Sequence, residues 1–228
     1  MEFKAIGHVR SDFPEKFGIP RQSGLVEELR SRIIFEPEYR VAEAFRGLKG
    51  YSRIWILWQF SQAVRDKWSP TVRPPKLGGN RRVGVFASRS PFRPNPIGLS
   101  AVRLDRVELD GAEGPVLHVS GADIMDGTPV LDIKPYLPYV DAYPDERGGF
   151  AFQQKGGVLQ VEIAAELMAE IPEGKREALM AVLAQDPRPA YQDDPGRVYT
   201  MSFGGVEVSF AVEGNKLSVV KVRGSAQD

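Results

Sequence analysis

Three polar stretches of this 228-residue chain gather side chains that folding alone does not require. The first is Gly18-Ile19-Pro20-Arg21-Gln22-Ser23-Gly24. The second runs Ala87-Ser88-Arg89-Ser90-Pro91-Phe92-Arg93-Pro94-Asn95-Pro96-Ile97-Gly98-Leu99. The third is Ser120-Gly121-Ala122-Asp123-Ile124-Met125-Asp126-Gly127-Thr128-Pro129, continuing through Asp132-Ile133-Lys134-Pro135-Tyr136. In the second stretch Pro91, Pro94 and Pro96 stiffen the backbone, so Arg89, Arg93 and Asn95 are presented on a rigid frame, as catalysis by positioning requires. The plainer account is a proline-braced connection whose arginines are only solvated. In the third stretch Asp123 and Asp126 flank a bend. Carboxylates there can bind ribose hydroxyls or a cation, or can simply close Asx-turns.

Other chemistries are excluded or weakened. There is no Cys, hence no disulfide, thiolate nucleophile or Cys-ligated zinc; His8 and His118 are the only histidines, which argues against a His-rich metal site. No two glycines stand at i, i+2, so the G-x-G of a dinucleotide fold is missing. Gly174-Lys175 is followed by Arg176 rather than the Ser or Thr of a P-loop, and no H-E-x-x-H or G-x-S-x-G occurs. A cofactor, if one binds, sits outside the standard crevices.

Formal net charge is zero, but its distribution is uneven. Between Lys67 and Leu104 the charged residues are Lys67, Arg73, Lys76, Arg81, Arg82, Arg89, Arg93 and Arg103, with no acid among them. From Asp105 to Glu146 the balance is strongly acidic. A basic block can neutralise phosphates; equally, it can be a solvated face balanced in space by its acidic neighbour. No apolar stretch approaches the roughly 20 residues that a membrane span needs, and the first residues lack the pattern of a secretory signal. A cytoplasmic protein is the expectation.

The elements that must hold these loops are mostly short strands. Phe3–Val9, 31–35, the apolar run 51–60, 82–87, 99–109, 116–120 and 130–133 read as strands, with a hairpin through Asp110–Gly114. Pro37, with Val41, Phe45 and Leu48 at helical spacing before Gly50, predicts a short amphipathic helix. The texture changes near Asp145–Gly157, giving expected units of 1–146 and 147–228. Beyond that boundary come a strand at 158–164, a helix at 173–184 and strands at 198–203, 206–212 and 217–222, the last two joined at Gly214-Asn215. The expected fold is mainly β (α+β): a non-Rossmann β-barrel followed by a small C-terminal α+β domain.

At its loops the chain closely resembles the TrmO (YaeB/TsaA-like) family of tRNA methyltransferases. The likeness is carried by 16–22, by 73–80, by 84–98, by Asp126-Gly127-Thr128-Pro129 with 132–136, and by Ala184-Gln185-Asp186-Pro187-Arg188-Pro189-Ala190-Tyr191. The resemblance implies a homodimeric β-barrel enzyme that uses S-adenosyl-L-methionine to methylate N6 of threonylcarbamoyladenosine, the modified base just 3′ of the anticodon (position 37) in threonine tRNAs. Carried over by motif, it puts cofactor contacts on Pro20, Arg21, Gln22, Ser61, Gln62, Arg89, Leu99, Ser120, Gly121, Ala122 and Asp123. Many relatives have histidine where this chain has Ser61, so a main-chain contact is implied there. Arg73, Arg93, Asn95, Asp126, Arg188 and Tyr191 are the expected contacts to tRNA; no base and no metal is assigned. Two rivals stay open at this point: a non-catalytic RNA-binding module, and a methyltransferase with another acceptor.

Overall fold

The computed structural model describes residues 2–65, 67–74, 77, 81–152, 158–188, 194 and 196–225. The strands of the first half are β1 (Gly7–Arg10), β2 (Arg30–Phe35), β3 (Arg53–Gln59), β4 (Thr71–Val72), β5 (Val83–Gly84), β6 (Ile97–Glu108), β7 (Val116–Ser120) and β8 (Pro129–Pro135). Six of them close into an antiparallel barrel in the order β1-β2-β7-β6-β3-β8, with β1 pairing back onto β8 through Gly7 opposite Val130. Closure leaves no free edge. β3 shows why this sequence forms a barrel wall: Ile54, Ile56 and Trp58 point inward, while Arg53, Trp55, Leu57 and Gln59 alternate outward. Val9, Ile33, Val102, Leu117, Ile124 and Val130 complete a dry interior. β6 is long enough to serve two partners. Its first half pairs with β3, its second half with β7, and the register shifts between Leu104 and Arg106 where the strand bends.

The second half begins after two short helices, α1 (Pro138–Asp141) and α2 (Gly149–Phe152). Its strands β9 (Gln160–Glu162), β10 (Tyr199–Phe203), β11 (Val206–Glu213) and β12 (Lys216–Gly224) form one sheet in the order β10-β11-β12-β9. The helices α3 (Ala165–Ala169) and α4 (Arg176–Ala184) accompany that sheet. Ala178, Leu179, Val182 and Leu183 of α4 pack on Met201, Phe203, Phe210 and Leu217. Three residues of this core come from far upstream. Phe13, Val26 and Leu29, between β1 and β2, are as buried as the sheet itself. Phe13 meets Phe203 edge-on with ring centroids 5.2 Å apart, and Phe17 stacks on Tyr199 and Phe210. The ion pair Lys175–Asp12, at 2.6 Å, ties the same segment to the start of α4.

The strands read over 3–9 and 158–164 are shorter, Gly7–Arg10 and Gln160–Glu162, and two further elements depart from expectation. The helix read over 37–48 is instead three 3₁₀ turns, Pro37–Tyr39, Ala42–Phe45 and Leu48–Gly50. Only Phe45 is buried in them, against Phe35, while Val41 is half exposed and Gly47 takes a left-handed φ of 87°. Of the residues at helical spacing only Phe45 is fully anchored; Leu48 packs partly on the barrel core and Val41 is left in solvent, too little burial to hold a continuous helix. The strand read over 82–87 shrinks to β5, because the chain curls into a 3₁₀ turn at Val85–Ala87 to deliver the loop that follows.

Candidate active site

The end of the barrel along β3 and β6 opens into a cleft of about 780 Å³. Three distant loops meet there. Pro20, Arg21 and Gln22 come from between β1 and β2, Ser88, Arg89, Arg93 and Asn95 from the proline-rich loop before β6, and Asp123 from the loop after β7. The Arg89 guanidinium donates to the Gln22 side-chain carbonyl, so the first two loops are joined across the cleft. The first loop is fixed by the core described above, and Gly18, at φ +93°, turns the chain against Met201 on the way in. Within the second loop the Arg93 guanidinium donates to the Ser88 carbonyl at 3.1 Å, and Phe60 N–H bonds to the Pro96 carbonyl, clipping its end to β3.

The third loop is held from inside the barrel. Trp58 Nε1–H donates to Ser100 Oγ at 3.0 Å, and Ser100 Oγ–H donates to Asp123 Oδ1 at 2.6 Å. Ser100 is 1% exposed, so this hydroxyl is committed to the relay. Gly98 makes the arrangement possible, since a Cβ at that position would fall 2.2 Å from the Trp58 ring. The indole therefore lies directly across β6. Burial raises the Asp123 carboxyl above the usual carboxylate range, while the bond from Ser100 and the nearby Arg89 pull the other way. Perturbed acids in clefts cluster at functional sites.

The sequence-predicted residues divide. Pro20, Arg21, Gln22, Ser61, Gln62, Arg89, Leu99, Asp123, Arg93 and Asn95 line this cleft. Gln62 contributes a backbone carbonyl that accepts from Lys16 at 3.2 Å. Ser120, Gly121 and Ala122 are buried behind it. Ser120 Oγ is bonded to Arg30 and Asp105, and Gly121 uses its N–H on the Leu29 carbonyl and its carbonyl on Gly24 N–H. Gly121 thus ties the first and third loops together, while Ser120 is bonded to the barrel wall and Ala122 packs in its core. Asp126 lies outside the cleft, accepting from Ser11 N–H at 2.9 Å and pairing with Arg10. Arg188 grips Asp186 with two bonds, and its carbonyl accepts from Arg21 at 3.3 Å, which brings the C-terminal segment to the cleft rim. Tyr191 lies outside the described residues. Trp58 and Ser100 were missed as site residues. Their signal was the inward phase of strands that sequence reading treats as core.

A second concavity, of about 1360 Å³, adjoins the first and shares Arg21, Gln22, Ser88, Arg89, Pro91 and Phe92 with it. Arg65, Arg73 and Arg82 also line it, and no carboxylate does among the described residues. Arg73, Arg82 and Arg89 of the basic block thus join Arg21 and Arg65 in a cationic surface leading into the cleft. Fixed charge of one sign concentrates anions.

The polar groups in the cleft suit a ligand that carries a carboxylate, hydroxyls and a purine, the groups of the S-adenosylmethionine that the resemblance implies. A guanidinium at Arg89, an amide at Gln22 and a carboxylate at Asp123 face a wall of Trp58, Phe60 and the half-exposed Leu99. Among the described residues no group of His, Asp or Glu could hold a metal ion.

A closed antiparallel barrel with a polar cleft beside a cationic groove defines a β-barrel ligand-binding class distinct from the doubly wound folds. The chain belongs to the TrmO family: residues 8–142 match the tRNA-methyltransferase O N-terminal domain, and residues 157–225 match the TrmO C-terminal domain. It is 42% identical to the tRNA (adenine(37)-N6)-methyltransferase of Escherichia coli, with 88% of each chain covered. It is 46% identical to a putative S-adenosylmethionine-dependent methyltransferase of Pseudomonas aeruginosa, with 89% of each covered. The crystal structure of TrmO from Pseudomonas aeruginosa superposes with a TM-score of 0.77 at 36% identity, covering 98% of this chain and 99% of that one.

Proposed function

We propose that this protein transfers a methyl group from S-adenosylmethionine to N6 of threonylcarbamoyladenosine at position 37 of threonine tRNAs. The observation that carries the reading is the meeting of Gln22, Arg89 and Asp123 in one cleft that opens onto an arginine groove with no acid among its described residues. When bound, S-adenosylmethionine supplies a methyl group on a cationic sulfur, a leaving group that needs no protonation. The N6 proton, made acidic by the neighbouring carbamoyl group, passes to solvent as the N6–C bond replaces the C–S bond, so the chain's own task is alignment. Arg89, steadied by Gln22, takes the carboxylate; Asp123, oriented by Ser100, takes a hydroxyl or amine; and the wall at Trp58, Phe60 and Leu99 receives the purine. Holding two reactants in register contributes up to about 7–11 kcal/mol in favourable cases. Arg73, Arg93 and Asn95 hold the anticodon loop, whose unpaired bases are open to edge contacts.

The division into a barrel unit (1–146) and a C-terminal unit (147–228), action as a homodimer and a place in the cytoplasm belong to the same reading. No helix among the described residues is long and apolar enough to cross a membrane.

The test is mass spectrometry of tRNA nucleosides from a strain lacking the gene. The methylated threonylcarbamoyladenosine disappears and is restored by the wild-type gene but not by Arg89→Ala. Its persistence in the deletion strain overturns the proposal. Purified protein that binds S-adenosylhomocysteine and tRNA yet transfers nothing would point to the RNA-binding module instead.

A further inference from the structure

Two large aromatic side chains stand in solvent beside the arginine groove. Phe86 is 74% exposed and Trp68 is 53% exposed, yet their rings lie 6.2 Å apart at a tilt of 33°. Single exposed apolar residues are ordinary, whereas a paired aromatic patch on a polar surface marks an interaction site.

The patch is held in place. Phe86 sits in the 3₁₀ turn Val85–Ala87, whose Val85 is 1% exposed and bonds through its N–H to the Pro70 carbonyl. Ser88 Oγ closes the same turn on the Val85 carbonyl at 2.8 Å. The β4–β5 ribbon, with Thr71 opposite Gly84, fixes the Trp68 side of the loop against the Phe86 side. Close by, the Arg65 guanidinium lies 3.7 Å over the Phe92 ring, which shows a planar cation already stacked on an aromatic face in this groove. Phe86 and Phe92 line the groove together with Arg65, Arg73 and Arg82.

Aromatic faces interleaved with arginines, with no acid among the described lining residues, are the surface that unpaired nucleic acid selects: phosphates meet the guanidiniums and bases stack on the rings. An uncharged membrane or an apolar protein partner gains nothing from that density of guanidinium. We infer that Trp68 and Phe86 form a stacking subsite for an unpaired base next to the one held in the cleft. The inference rests on the RNA-modifying reading above. It adds a second nucleotide contact, set apart from the cleft by Ser88–Phe92.

The test uses the full chain and an anticodon stem-loop RNA of threonine tRNA carrying threonylcarbamoyladenosine. Phe86→Ala and Trp68→Ala each weaken stem-loop binding by roughly fivefold to a hundredfold, the loss expected for one base-on-aromatic contact. Phe86→Tyr keeps the π-face and restores affinity. The loss appears in KM for the RNA, and calorimetric affinity for S-adenosylhomocysteine is unchanged. Wild-type protein that binds and methylates the stem-loop, with alanine variants that bind it equally well, overturns the subsite and leaves the function standing. Alanine variants that change the sedimenting species, with RNA affinity intact, give the patch to a second copy of the chain and also overturn it. A wild-type protein that neither binds nor methylates the stem-loop removes both readings together.

Discussion

Two segments bring arginines to one cleft, and they are held there by opposite means. Residues 11–29, between β1 and β2, bury Phe13, Val26 and Leu29 in the C-terminal core, with Phe17 and Ile19 packed beside them. Residues 60–96, between β3 and β6, bury only Ala63 and Val85 among their described residues. The first segment is fixed by tertiary packing. The second has its shape from prolines, a two-residue ribbon and a few side-chain clips. Segments poor in buried apolar contacts lie at the low end of local stability. The wall of the cleft that carries Arg21 and Gln22 is thus the rigid one. The wall that carries Arg89 and leads on to the groove arginines is exposed and stiff only locally.

That contrast breaks most visibly at Phe13. Truncation of a fully buried phenylalanine costs about 3–5 kcal/mol, a large share of the roughly 5–15 kcal/mol that holds a domain together. Phe13→Ala is therefore expected to lower the urea midpoint sharply. It is also expected to weaken S-adenosylhomocysteine binding under conditions where the protein is still folded, since the loop carrying Arg21 and Gln22 loses its anchor. Lost stability with intact affinity in calorimetry would show that the loop is not positioned from the C-terminal core.

Gly98→Ala is expected to come next, at about 1–3 kcal/mol, because the added methyl group meets the Trp58 ring and not a flexible chain end. The displaced indole breaks its bond to Ser100, and the change is read in tryptophan emission and in cofactor affinity. Equal spectra would mean that the ring moves aside freely and that the relay to Asp123 is not held by packing.

How much of this was legible follows the same division. The strands were readable because inward positions alternate, as in Ile54, Ile56 and Trp58. The second loop was readable because prolines speak locally. The C-terminal grip on residues 11–29 was not, since Phe13 and Phe203 are brought together only by the fold. The Trp58–Ser100–Asp123 relay was hidden for a similar reason: a serine on the buried phase of a strand looks like a tolerated polar residue until its partner is seen. The helix read over 37–48 shows the opposite error. A spacing that suits a helix does not make one when only Phe45 is fully buried and Val41 stays in solvent. Ser120–Ala122 came with the motif, and the fold adds what the motif does not say: Gly121 links the first and third loops, and Ser120 bonds to Arg30 and Asp105 of the barrel wall.

Asp123 gives a smaller and pH-dependent effect. Its carboxyl is raised by burial, so the folded chain holds that proton more tightly than the unfolded chain. The associated stability is complete below the ordinary carboxylate range and is lost as pH rises through the raised value. Asp123→Asn is then more stable than wild type at neutral pH in the absence of ligand, and the gap closes as pH falls. Affinity for S-adenosylhomocysteine runs the other way. It drops about tenfold to a hundredfold in the variant at neutral pH, the worth of a charged hydrogen bond, and the wild type loses the same amount on acidification. Ser100→Ala moves the wild-type midpoint upward, because the bond that favours the carboxylate is gone. Parallel pH profiles for all three proteins would take Asp123 out of the binding set.

The smallest change in stability, and the sharpest probe of the exposed segment, is Arg73→Ala. Arg73 is exposed on the groove, far from the packed core, so its removal shifts stability by no more than about 0.5 kcal/mol. Its effect belongs to RNA alone. Each phosphate contact releases counterions, so the slope of log affinity against log salt falls by about 1 when one such arginine is lost, uniformly across RNA sequences. A change in slope with unchanged S-adenosylhomocysteine affinity separates the two sides of the cleft as independent devices. If Arg73→Ala instead weakens the small ligand and leaves the salt slope alone, the arginine groove is a continuation of the cofactor cleft, and the comparison between a rigid side and an RNA-facing side collapses.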